Sequence, residues 1–188
     1  MIGTLFYVVG PSGVGKDSLL AYVREQAAGR HPLIFAHRYI TRPASAGGEN
    51  HVAVTPSEFA RMRTLGFFAL HWESHGLGYG LGIEIDAWLA RGANVVMNGS
   101  RAYLAEASRR YPGLCVVLID ADPQVLRARL ESRGRESAEE ITQRIARATE
   151  FTVSHPNLVR ISNNGPLAEA GDRLLQVLCG ETLAVPVA

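Results

Sequence analysis

The stretch Gly10-Pro11-Ser12-Gly13-Val14-Gly15-Lys16-Asp17-Ser18 constrains this chain most, because it falls between an apolar run, Leu5 to Val9, and a helical pattern, Ser18 to Ala28. A glycine-rich loop joining a strand to a helix turns successive backbone N–H groups inward, and the helix start adds its partial positive charge. The lysine can then reach a terminal phosphate. Gly10 to Ser18 is therefore a predicted socket for a nucleoside triphosphate, with Lys16 as its catalytic cation. Eighteen of the nineteen basic residues are arginine, and Lys16 is the only lysine. A compact ammonium suits this position where a planar guanidinium would not.

The loop departs from the common pattern at one place. Asp17 stands where a Ser or Thr hydroxyl usually ligates Mg²⁺, and Ser18 follows one step on. A carboxylate is a harder, more strongly charged ligand than a hydroxyl, so Asp17 and Ser18 are the predicted metal residues. The alternative is that Asp17 merely caps the helix.

A chain of 188 residues, 47% hydrophobic and 20% charged, supports one sizeable core. A net charge of +1 argues against a nucleic-acid binder or a membrane-surface binder, since both need a concentrated basic excess. Only Cys115 and Cys179 are present, and Cys115 lies in an apolar run, where it reads as a small buried hydrophobe. A reducing, cytoplasmic setting is expected. The N-terminal apolar stretch is short and lacks a basic leader, so neither a signal peptide nor a membrane span is expected. A homodimer is left open.

Four short apolar runs, Leu5 to Val9, Asn94 to Met97, Leu114 to Ile119 and Leu158 to Ile161, alternate with helical patterns. That alternation predicts an α/β fold whose core is a parallel sheet with helices on both faces, with ligands beyond the carboxyl ends of its strands. Helix boundaries are marked at Thr55-Pro56-Ser57-Glu58 with Gly66, at Asp122-Pro123 with Gly134, at Ser137-Ala138-Glu139-Glu140 running to about Phe151, and over Leu167 to Leu178 with Gly180. No linker divides the chain. The expected organisation is one domain: a core of 1–36 and 83–178, an inserted acceptor-binding subdomain over about 37–82, a lid over about 133–150, and a loose tail at 181–188.

Candidate anion ligands fall in two places. Arg38, Arg42, His37 and His51 bracket the loop Pro43 to Asn50, with His71, Trp72, His75 and Tyr79 after it. Guanidinium groups suit phosphate, and His or Tyr can add hydrogen bonds; for Trp72 the expectation is packing in a satellite core. Further along come Arg127, Arg129, Arg133, Arg135, Arg144 and Arg147. Phosphoryl transfer is catalysed mainly by positioning and charge stabilisation, so mobile arginines over the triphosphate are expected equipment, with Arg133 and Arg144 the favoured catalytic pair.

Several of these residues carry a resemblance to the guanylate kinase superfamily over nearly the whole chain. They are the opening G-P-S-G-x-G-K, Thr41-Arg42-Pro43 with Gly48-Glu49, Thr55 to Phe59, Gly66 to Phe68, His75-Gly76 to Tyr79-Gly80, Arg133-Gly134 and Glu139 to Arg144. The resemblance implies a P-loop nucleoside-monophosphate-kinase-like three-layer fold, ATP as donor and Mg²⁺. It also implies that Arg42, His51 and Tyr79 are acceptor-phosphate ligands, with His51 standing where that family has Tyr. The departures bear on the acceptor. Leu70 replaces the Glu that reads guanine, Leu81 a small hydroxyl residue and Ser45 a second phosphate-binding Arg, while Asn98-Gly99-Ser100-Arg101 stands where acidic residues end the third strand. Unmatched polar edges cost about 1–3 kcal/mol each, so such a site does not select guanine. Asn98, Ser100 and Arg101 suit a polyanion better than carboxylates would.

Gly15-Lys16-Asp17-Ser18, Tyr39-Ile40-Thr41-Arg42-Pro43, Glu49-Asn50-His51 and Asn98-Gly99-Ser100-Arg101 together resemble the ribose 1,5-bisphosphate phosphokinase family of phosphonate catabolism. The resemblance implies a phosphorylated-sugar acceptor and formation of 5-phosphoribosyl 1-diphosphate. One reading of Asn98 is a charge swap, the metal-side acid having moved to Asp17. Two alternatives are a nucleoside monophosphate kinase of altered base preference and a non-catalytic binding module. The intact lysine loop speaks against the second.

Overall fold

The computed structural model describes residues 2–29, 32–46, 49–134, 137–150 and 152–180, without the side chains of Arg147, Thr149 and Glu150. Gly48, Arg135, the Phe151 helix end, the 181–188 tail and the Arg147 side chain, all named above, lie outside the described part. The chain divides into two compact units, Met1–Tyr7 with Pro32–Leu114 and Val8–His31 with Cys115–Ala188. The first strand, β1 (Leu5–Val9), is wholly buried and contributes to both units.

In the second unit β1 is followed by α1 (Lys16–Ala27), which starts two residues earlier than its apolar pattern suggests. The sheet runs β1, β8 (Cys115–Asp120), β9 (Leu158–Ser162), and β8 and β9 pair in parallel. Leu126 and Leu130 of α5 (Pro123–Arg133) meet Ile141 of α6 (Ala138–Glu150) in a buried cluster that Ile145 and Ala148 extend. Ser137 caps α6 through the predicted reciprocal bonds with Glu140, and Gly134 ends α5 at φ 60°. The last helix, α7 (Leu167–Leu178), ties to α1 through Tyr22, whose hydroxyl donates to Asp172 at 2.7 Å. Cys115 is half-buried, and burial pushes its thiol pKa up.

In the first unit the sheet runs β2 (Leu33–Phe35), β7 (Asn94–Asn98), β1, with β2 and β7 parallel. A second, mixed sheet holds β4 (Val52–Ala53), β3 (Tyr39–Ile40), β6 (Leu77–Gly82) and β5 (Phe68–Ser74) in that order. His75 and Gly76, both at positive φ, make the two-residue turn between β5 and β6. Gly80 has no side chain for a reason: a Cβ there would stand 2.5 Å from the ring of Phe68, which packs at a tilt against Phe59 of α2 (Pro56–Thr64). Thr55 and Glu58 form the predicted capping box of α2. Two seven-residue helices, α3 (Glu84–Ala90) and α4 (Leu104–Arg110), complete the unit. Among the described residues no helix is long and apolar enough to cross a membrane.

Candidate active site

The glycine loop takes the form its sequence requires. Gly13 and Gly15 sit at φ 87° and 92°, where a side chain is strained, and a Cβ on Gly15 would lie 2.7 Å from Asn163 Nδ2. Lys16 Nζ donates to the carbonyls of Gly10 and Pro11 at 2.9 and 3.1 Å, so its ammonium is folded back over the loop. The loop is braced from β9's carboxyl end: the buried Asn163 donates Nδ2 to Val14 O at 2.8 Å, and its backbone N–H donates to Asp120 O. Asn163 Oδ1 is buried with no hydrogen-bond partner among the described residues, a donor vacancy that a bound ligand can fill.

A cavity of about 280 Å³ opens beside the loop, and Gly13, Gly15, Ser18, Arg129, Arg133 and Asn163 line most of it. Arg144 reaches the loop directly, donating Nη1 to Ser12 Oγ at 2.8 Å, and Arg129 Nη1 lies 3.4 Å from Val14 O. Both expected catalytic arginines, Arg133 and Arg144, therefore stand at the loop. Asp17 and Ser18 are exposed at the start of α1, and the helix has no side-chain cap hydrogen bond. Gly15 holds the N-cap position of α1, and Asp17 lies in its first turn.

The candidate acceptor residues gather in the first unit. Arg38 is engaged by Glu49 through both arms of its guanidinium, with Nε 2.7 Å from Oε1 and Nη2 on Oε2. The fork of this candidate phosphate ligand thus holds a carboxylate. Its guanidinium lies over the rings of Tyr79 and Trp72, at 4.9 and 5.8 Å, and Trp72 is stacked between Tyr79 and Tyr103. The ring nitrogens of His51 face the carbonyls of Glu49 and Arg42 at 3.0 and 3.1 Å, and the tautomer decides which of the two receives its N–H. Arg42 Nη2 approaches His51 Nδ1 at 3.4 Å, while Arg42 Nε is buried with no hydrogen-bond partner among the described residues. An unmet guanidinium N–H is costly, and a phosphate oxygen would satisfy it.

At the carboxyl end of β7, Asn98 donates Nδ2 to Glu49 Oε2 at 2.8 Å. An Asp there would set carboxylate against carboxylate, which explains the amide without a charge swap with Asp17. Ser100 is fixed by Tyr7, whose hydroxyl donates to Ser100 O at 2.9 Å and accepts from Ser100 N at 3.0 Å. Arg101 follows, half-buried, and desolvation pulls its pKa below the usual guanidinium value, the electrostatic mark of a cation whose solvation an anion could restore.

Tyr7 in the first unit and Asn163 in the second stand among the candidate residues with little warning in the sequence, whereas Arg129 is one of the arginines named above. The available signals are slight: a tyrosine in an otherwise apolar buried strand needs a polar partner, and Asn163-Asn164-Gly165 follows a strand run at the end where ligands bind.

No family model matches the chain. Among solved structures, a guanylate kinase from Anaplasma phagocytophilum shares the fold, with a TM-score of 0.67 over 98% of this chain and 88% of that one at 17% identity. Three proteins named ribose 1,5-bisphosphate phosphokinase PhnN are much nearer in sequence. That of Thiobacillus denitrificans is 56% identical over 94% of this chain and 93% of its own length. Those of Desulfomicrobium baculatum and Burkholderia mallei are 53% and 57% identical, covering 96% and 94% of this chain and 96% and 95% of theirs. With half or more of its residues shared along nearly its full length, the chain belongs to the ribose 1,5-bisphosphate phosphokinase family.

Proposed function

We propose that the chain transfers the γ-phosphoryl group of ATP to the 1-phosphate of ribose 1,5-bisphosphate, giving 5-phospho-α-D-ribose 1-diphosphate and ADP, in phosphonate degradation. The name its relatives carry supports this reading. The observation that carries it is the state of the base-reading positions. Leu70 and Leu81 stand opposite one another in register on β5 and β6, 3% and 0% exposed. Two buried leucines offer a purine no hydrogen bond, so selectivity for guanine has no carrier there. The anion-binding groups remain, so the acceptor keeps its phosphates and loses its base.

On the donor side, Gly10–Ser18 with Lys16 holds the triphosphate, and Arg133 and Arg144 stabilise charge on the transferring group. The cavity beside the loop receives the rest of the nucleotide, with Asn163 Oδ1 as an acceptor for one of its N–H or O–H groups. On the acceptor side, Arg42, with its unmet Nε, and Arg101 take phosphate, with Tyr79 and Ser100 beside them. The domain plan follows: acceptor groups over about 37–82 and at 98–101, and a lid formed largely by α6. An oxygen of the 1-phosphate attacks the γ-phosphorus in line, the new P–O bond forms, and the bond to the β-phosphate oxygen breaks to release ADP. That oxygen is already ionised at neutral pH, so no general base is needed.

Asp17 and Ser18 are hard oxygen donors suited to Mg²⁺, and no cluster of three His, Cys, Asp or Glu among the described residues could hold a metal without help. Phosphate oxygens and water would complete the coordination, and a bound Mg²⁺ would supply charge neutralisation to the triphosphate. ATP as donor fits a cytoplasmic protein acting on a small phosphorylated sugar.

The test is to incubate the protein with ATP, Mg²⁺ and, in turn, GMP, ribose 5-phosphate and ribose 1,5-bisphosphate. ADP and a diphosphorylated sugar from the bisphosphate alone are expected. Faster turnover of GMP would make the chain a nucleotide kinase and overturn the proposal.

A further inference from the structure

Glu49 is a carboxylate set among basic groups. Three N–H donors hold it: Arg38 Nε on Oε1, Arg38 Nη2 on Oε2, and Asn98 Nδ2 on Oε2. The Arg38 and Glu49 side chains are only 13% and 14% exposed, and the Arg38 guanidinium rests on the Tyr79 and Trp72 rings. Burying an ion pair costs about as much in desolvation as it returns in Coulomb attraction, so stability does not account for it. What the arrangement achieves is placement of a carboxylate at the carboxyl end of a parallel strand, where ligands of such sheets gather.

Chemistry then limits what the carboxylate can meet. A phosphate oxygen brought to Glu49 is repelled, whereas a hydroxyl donates to it. A carboxylate offers roughly four lone-pair positions, and the described residues fill three. The remaining capacity is on Oε1, which accepts from Arg38 Nε alone among the described residues.

We propose that Glu49 reads a ring hydroxyl of the acceptor sugar, with Arg38 and Asn98 as positioning residues that hold its carboxylate and with the acceptor's phosphates left to Arg42 and Arg101. This deepens the sugar-phosphate reading and rests on it: the substrate class becomes a phosphorylated furanose recognised by its hydroxyls. Arg38, which the sequence marks as a phosphate ligand, acts through Glu49.

The test compares kcat/KM for ribose 1,5-bisphosphate with that for its 2-deoxy and 3-deoxy counterparts, in the wild-type protein and in Glu49→Gln. A ratio between sugars does not depend on the folded fraction. In the wild type at least one deoxy sugar is expected to be poorer by roughly 10- to 100-fold, the worth of a charge-assisted hydrogen bond. In Glu49→Gln that ratio is expected to fall to within about threefold of unity, since most of the charge assistance is gone. Should Glu49→Gln not fold, Glu49→Asp withdraws the charge by one methylene and its ratio is expected to fall likewise. A wild-type protein indifferent to both hydroxyls, or a variant with an unchanged ratio, overturns the inference while leaving the proposed function standing. A wild-type protein with no turnover of any sugar bisphosphate overturns both.

Discussion

Tyr7→Phe removes one oxygen from a wholly buried strand, and the structure fixes what that should cost. The hydroxyl both donates to and accepts from the Ser100 backbone, at 2.9 and 3.0 Å, and Tyr7 is 0% exposed. Phenylalanine leaves the Ser100 N–H without this partner and its carbonyl with one bond fewer, and an unmet buried polar group costs about 1–3 kcal/mol. A loss of roughly 2–4 kcal/mol is therefore expected at neutral pH. The same hydroxyl has a pH signature. Burial, the largest cause, pushes the Tyr7 pKa from its ordinary 10.0 up to about 12. Between those values the unfolded chain has released the proton that the folded chain keeps, so stability falls as pH rises through this window. At about 1.4 kcal/mol per unit the fall is about 3 kcal/mol. Urea unfolding at pH 8 and across pH 10–12 measures both effects, with the difference between wild type and variant cancelling the other alkaline groups. The variant should be weaker at pH 8 and should lack this part of the alkaline fall. Equal stability at pH 8, or an equally steep fall, would refute the reasoning. Because Ser100 precedes Arg101, a raised KM for the acceptor with little change in KM for ATP is expected as well.

Lys16→Ala removes the ammonium folded over the loop; kcat in a coupled ADP assay should fall on the order of 10²–10³-fold, the worth of a donor to a transferring group. Gly15→Ala forces a side chain into φ 92° and against Asn163 Nδ2; a conformational cost of about 1–2 kcal/mol and loss of ATP binding by calorimetry are expected. Asn163→Ala leaves Val14 O without its 2.8 Å bond; denaturation should show a loss of about 1–3 kcal/mol, with a higher KM for ATP than for the acceptor. Asp17→Ala should weaken Mg²⁺·ATP binding while leaving binding of metal-free ATP nearly unchanged, a contrast titration calorimetry reads directly.

The donor loop was open to sequence reading because its demands are local. Positive-φ glycines, a lysine and a helix start are consecutive in the chain, and so are the capping boxes at Thr55 and Ser137. The four apolar strand runs were equally plain. By contrast, β2 is three half-buried residues, and α3 and α4 are seven residues each, too short for a period to stand out. In the second sheet, β6 alternates glycine with larger residues, and rings from Phe59 and Phe68, on other elements, fill the Gly78 and Gly80 positions. The candidate acceptor residues stand out in the sequence by type, but their partnerships do not. Arg38 meets Glu49 across eleven positions and Asn98 meets Glu49 across forty-nine, so only the fold shows that one arginine already holds a carboxylate.

Following the γ-phosphoryl group itself tests the central claim most directly. With ATP labelled in its γ-phosphate oxygens and ribose 1,5-bisphosphate as acceptor, phosphorus NMR should find the label in the terminal phosphorus of the sugar diphosphate, in step with ADP formed. Label appearing in inorganic phosphate, or carried to GMP in preference when both acceptors are present, would contradict it.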